Sequence, residues 1–138
     1  MVPELRCSDF ERSLRFYCEV LGFSVAYERT EERFACLALE GAQIMIEQPV
    51  DEDRAELLLT GALEKAYGRG VNLQIEVSDV EAMAQRIIDA GWPLLLGIED
   101  RWYRVGEEYA GSRQFWVQDV DGYLLRFFEN LGWRAEPQ

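Results

Sequence analysis

Ser8-Asp9-Phe10-Glu11 returns seventy positions later as Ser78-Asp79-Val80-Glu81. Each copy follows a short β-type run and opens an amphipathic stretch that stops at a glycine, Gly22 or Gly91. A strand–helix–strand unit used twice in 138 residues restricts the fold to two equivalent halves. The cleft that such halves would enclose is the natural place for function.

The rest of each half follows from spacing. Leu5 to Ser8 reads as a strand, and Ser8 with Glu11 as a capping box. Phe10, Leu14, Tyr17 and Leu21 fall at helical spacing and predict one buried face. Gly22 supplies a left-handed stop. Phe23–Glu28, Phe34–Leu39 and Ala42–Gln48 read as three strands, with turns at 30–32 and 40–41. In the last strand Gln43, Met45 and Glu47 share one side, and Ile44 and Ile46 the other. Residues 49–70 form the connection, with a short helix expected over 56–66. The unit then restarts. Val71–Val77 is a strand, Ser78 and Glu81 form a second capping box, and Val80, Met83, Ala84 and Ile87 make a helix face. Pro93–Ile98, Gln114–Val117 and Tyr123–Phe128 supply three more strands, the last entered through the turn Asp119-Val120-Asp121-Gly122. The expectation is an α+β fold, one domain over 1–138, with module 1 about 1–48 and module 2 about 71–130. The pattern is βαβββ twice over.

Composition narrows the function. The chain has no histidine, so acid–base work would fall to carboxylates, tyrosine, cysteine or Lys65, the sole lysine. Net charge is −12, with residues 1–70 and 71–138 contributing −6 each. An anionic body repels nucleic acid and anionic membrane and attracts cations, although acidity also serves plain solubility. The longest apolar stretch, around 90–98, falls well short of a membrane span. The start Met1-Val2-Pro3-Glu4-Leu5 has neither the basic nor the apolar region of a secretory signal. Cys7, Cys18 and Cys36 have no metal-binding spacing and read as buried free thiols of a reducing cytoplasm. The Asp119–Asp121 turn is accounted for by turn chemistry and lacks the rest of a calcium loop. No nucleophile elbow, phosphate loop or dinucleotide fingerprint is present, and Gly68-Arg69-Gly70 is too short to count as one.

Between Ile98 and Trp116 the chain is dense in aromatic and charged residues, and it predicts a long hairpin. Trp102, Tyr103, Tyr109 and Trp116 can stack on a flat ligand beside acids that receive cationic groups, or they can build a dimer interface, or both.

Ser8–Tyr17 followed by Val20-Leu21-Gly22-Phe23, together with Asp119-Val120-Asp121-Gly122-Tyr123, resembles the vicinal oxygen chelate superfamily. That superfamily includes glyoxalase I, bleomycin resistance proteins and extradiol dioxygenases, and the resemblance spans nearly the whole chain. It implies paired βαβββ modules forming a U-shaped mixed sheet around a cleft, commonly completed in a homodimer. It also implies four metal-ligand positions, which here fall on Val2, Glu47, Asn72 and Arg126. One carboxylate and one amide beside a guanidinium make neither a zinc nor a manganese site. Arg126 either pairs with Glu47 and closes the site to metal by charge, or turns to solvent or another partner. The bleomycin-resistance type fits best: a metal-free, non-catalytic, cytoplasmic homodimer sequestering a small cationic or aromatic ligand such as bleomycin, without cofactor, nucleic acid or membrane. Its expected ligand contacts are Phe34, Glu47, Asn72, Trp102, Tyr103, Tyr109, Trp116 and Arg126. The alternative is a lyase or isomerase of the glyoxalase-like superfamily with an atypical cleft.

Overall fold

The computed structural model describes residues 1–136. Its chain falls into two compact units, Met1–Val71 with Asp119–Tyr123, and Asn72–Gln118 with the chain from Leu124 onward. Each unit carries one four-stranded sheet.

The first sheet has the order β1-β4-β3-β2. Its strands are β1 (Glu4–Arg6), β2 (Ser24–Arg29), β3 (Phe34–Leu39) and β4 (Ala42–Glu47). β1 runs parallel to β4, and the other pairs are antiparallel. The β3–β4 turn takes two residues, Glu40 and Gly41, with φ of 47° and 92°. Positive φ at both matches the twist of tight hairpins. Ile44 and Ile46 are buried and their neighbours in β4 face away, as the alternation predicts.

Helix α1 (Phe10–Arg15) is capped by Asp9, whose carboxylate accepts from the Arg12 amide, so Ser8 is not the cap. Ser8 instead turns its amide and its hydroxyl to the Asp121 carboxylate, which takes it out of the predicted capping box. The helix also does not keep α spacing to Gly22. Residues Phe16–Val20 widen into a π-helix, with the Leu21 amide donating to the Phe16 carbonyl at 3.0 Å. That bulge brings the consecutive side chains Phe16 and Tyr17 inward together, while Leu14 is left half-buried.

In the connection, α2 covers Glu52–Leu57 rather than the 56–66 expected. Asp51 caps it by accepting from the Arg54 amide at 3.2 Å, and two acids follow in the first turn, where the helix dipole favours them. The chain after Leu57 has no regular structure until β5.

The second unit repeats the plan in the order β5-β8-β7-β6. The strands are β5 (Asn72–Glu76), β6 (Leu96–Val105), β7 (Glu108–Gln118) and β8 (Leu124–Arg134), with β5 and β8 parallel. Asp79, not Ser78, caps α3 (Val80–Asp89) by accepting from the Ala82 amide at 2.9 Å. Val80, Met83, Ala84 and Ile87 are buried, the face predicted from spacing. β6, β7 and β8 are longer than expected, and β6 with β7 makes the long hairpin. The matching orders bear out the α+β duplication.

Candidate functional site

In the first unit, Phe34 and Glu47 are direct partners across β3 and β4, so they share the sheet face turned away from Ile44 and Ile46. The Phe34 ring is 3% exposed and carries the Arg29 guanidinium 4.1 Å above its centroid, with Tyr27 tilted beside it at 6.0 Å. Arg29 in turn pairs with Glu32 at 2.7 Å. The Glu47 carboxyl is pushed up to about 6, first by burial and then by the hydrogen bond and charge of Glu4, against the opposing charge of Arg6. Arg6 is the register partner of Glu47 and anchors itself on the Ala55 carbonyl at 3.1 Å.

The turn 119–123 also belongs to this unit and answers the question of catalysis at Asp119 and Asp121. Both are buried. Asp119 accepts from the amides of Asp121 and Tyr123 and from the Tyr17 hydroxyl at 2.7 Å. Asp121 accepts from Ser8 and faces the Lys65 ammonium at 3.5 Å. Their oxygens are spent on holding the turn. The Cys7 thiol is buried and pushed up to about 12 by that burial, which removes it as a nucleophile. Cys18 is half-buried rather than buried. A cavity of about 400 Å3 inside the 58–69 segment is lined by that segment alone and holds none of the candidate residues.

In the second unit the eight-residue expectation divides by face. β7 alternates Ser112, Gln114, Trp116 on one side with Tyr109, Gly111, Arg113 on the other. Cross-strand register puts Tyr103, Arg126 and Phe128 with the first set, and Trp102 with the second. Tyr103, Trp116, Arg126 and Asn72 are therefore brought together. Trp102 and Tyr109 lie on the opposite side, where Trp102 holds the Arg134 guanidinium 3.6 Å from its ring.

The assembled group centres on Gln114, which sequence reasoning passed over and which is 2% exposed. Its Oε1 accepts from Arg126 Nη2 at 3.2 Å, and its Nε2 donates to Tyr103 at 2.8 Å and to Glu99 at 3.2 Å. Arg126 lies 5.0 Å over the Trp116 ring, and its Nη1 reaches Asn72 Oδ1 at 3.5 Å. The signal in sequence was only that an amide sits two residues before Trp116, on the same side of a strand.

This arrangement also bears on the metal-ligand positions that the superfamily resemblance implies. Two of the four positions, Asn72 and Arg126, contact one another, so the cation occupies the amide oxygen that a metal would need. No group of three or more cysteine, aspartate or glutamate side chains suited to a metal exists among the described residues. The donor set does not fit a divalent ion.

The sequence pattern of the glyoxalase/bleomycin resistance protein/dioxygenase superfamily matches residues 2–127. The chain belongs to that superfamily. A bleomycin resistance protein of Geobacillus stearothermophilus is 28% identical over 138 residues, covering 94% of this chain and 96% of its own. The solved structure of TioX from Micromonospora sp. ML1 has a TM-score of 0.70 at 23% identity, covering 95% of this chain and 98% of its own. A lactoylglutathione lyase from Agrobacterium tumefaciens has a TM-score of 0.62 at 16% identity, covering 94% and 91%. The structural likenesses establish the fold. No helix among the described residues is long and apolar enough to cross a membrane.

Proposed function

We propose that this protein is a small-molecule binding protein of the bleomycin-resistance type, which sequesters a ligand without transforming it. The observation that carries this reading is the replacement of a metal donor set by Arg126, laid over Trp116 and tied to Asn72 and Gln114. A fixed guanidinium and an aromatic ring recognise and stack; they supply neither a Lewis acid nor a proton acceptor. Tyr103 and Trp116 are the residues we assign to ligand contact, with aromatic faces for planar groups. Relatives named bleomycin resistance protein at 28% identity support a ligand of that kind. We extend the same reading to a cytoplasmic homodimer with no cofactor.

Calorimetric titration of the purified chain with bleomycin tests it. Saturable heat and thermal stabilisation at micromolar drug are expected. The absence of both heat and stabilisation in that range would rule out bleomycin as the ligand.

A further inference from the structure

Among the described residues, two of the arginines that lie over aromatic rings differ in what balances their charge. Arg29, over Phe34, pairs with Glu32 at 2.7 Å. Arg126, over Trp116, meets only neutral oxygens, those of Asn72 and Gln114, and no carboxylate of the described residues lies within ion-pairing distance. In a chain with 26 acids and 14 bases, a half-buried guanidinium left without an anion is costly to keep.

A second observation points the same way. Arg126 Nε and Trp116 Nε1 are both buried and both lack an acceptor. A buried donor without an acceptor is costly relative to a satisfied one. They belong to side chains already stacked on one another, so one acceptor group can serve both. Both nitrogens are covered in the free protein, and the long, flexible stem of arginine gives the movement that uncovers them.

From this uncompensated charge and these two orphaned donors we propose that the Arg126–Trp116 pair is a subsite for a carboxylate attached to a planar aromatic ring. The carboxylate joins Arg126 through a charge-assisted fork and takes the Trp116 indole N–H at the ring edge, while the attached ring lies flat against the guanidinium plane. Asn72 and Gln114 hold the guanidinium through Nη1 and Nη2 and set its angle. Tyr103, fixed by Gln114, borders the site. This deepens the binding function proposed above: the ligand carries an anionic oxygen as well as its aromatic surface.

The probes are 2-naphthoate, 2-naphthamide and 2-naphthylmethylammonium, which share a ring and differ in charge. Each is titrated into the full chain at low ionic strength with calorimetry and tryptophan fluorescence. Naphthoate is expected to bind at least about 10-fold tighter than the ammonium, against the pull of the net charge of −12. Arg126→Gln should abolish that preference, and Arg126→Lys, which keeps charge without the fork, should retain only part of it. In the unmodified protein the Trp116 indole N–H resonance, assigned with Trp116→Phe, should shift with naphthoate and stay still with the ammonium; this readout needs no variant at position 126. Equal or tighter binding of the ammonium, a naphthoate preference that survives in folded Arg126→Gln, or an unmoved indole resonance would each overturn the subsite. Bleomycin heat without a naphthoate preference overturns the subsite alone, and the converse overturns the bleomycin assignment alone.

Discussion

Asp119 satisfies three donors with one carboxylate, and one of them, the Tyr17 hydroxyl, comes from a fully buried phenol more than a hundred residues away in sequence. Burial raises the Asp119 carboxyl above its ordinary range, and the Tyr17 hydrogen bond pulls it partly back. A carboxyl raised in the folded state adds stability at low pH that is lost as pH rises through its folded value. Tyr17→Phe removes the donor, lets that carboxyl rise further and leaves a buried charge less satisfied. The variant should lose about 1–3 kcal/mol at pH 7. The gap from the unmodified protein should narrow as pH falls and Asp119 takes up its proton. Urea denaturation at pH 7 and pH 4.5 checks both statements; an equal loss at the two values would show that Asp119 is not the group affected. None of this was legible locally, because the short Asp-x-Asp-Gly sequence reads as an ordinary turn and nothing nearby names Tyr17 or Ser8 as its partners.

Among the elements, α3 and β3 were the most legible. α3 keeps strict α spacing, so its apolar positions could be counted, and β3 begins and ends at residues set by turns on either side. α1 was less so, because a π-helical stretch shifts every position after Arg15 and no local propensity announces it. The long β7 shows the reverse case, an element whose glycine looks weak in sequence and proves necessary. A Cβ on Gly111 would lie 2.6 Å from Trp102 Cη2 and 2.8 Å from Leu131 Cβ. Trp102 crosses the strand there to reach Arg134, and the only residue that lets it pass has no side chain. Gly111→Ala should therefore destabilise by about 1–3 kcal/mol through overpacking, seen as a lowered melting temperature, and should alter the near-ultraviolet tryptophan signal. A melting temperature equal to that of the parent would contradict the contact.

At the scale of the whole molecule, charge and donor chemistry run together. The net charge of −12 draws cations in general, yet the positions where the family places a metal include a guanidinium seated on an amide oxygen. Protein purified without chelator should carry zinc, nickel and manganese at well below one ion per chain by elemental analysis, and Arg126→Glu, which exchanges the cation for a donor, should raise that content. Stoichiometric metal in the unmodified chain would refute the assignment.

The duplicated βαβββ plan, the alternation of β4 and the buried face of α3 were determined by sequence alone. Each depends on interactions between residues a few positions apart, and the chain repeats its signal. The members of the group around Gln114 were decided only by tertiary structure. Gln114 is one polar residue among many until cross-strand register sets it against Glu99 and Phe128 and brings it to Arg126 and Tyr103. Trp102 and Tyr103 are adjacent in sequence and on opposite faces of a sheet, because consecutive β residues point apart. Local spacing can fix an element; which side chains meet across strands depends on register, and register is set by the packing of the whole sheet.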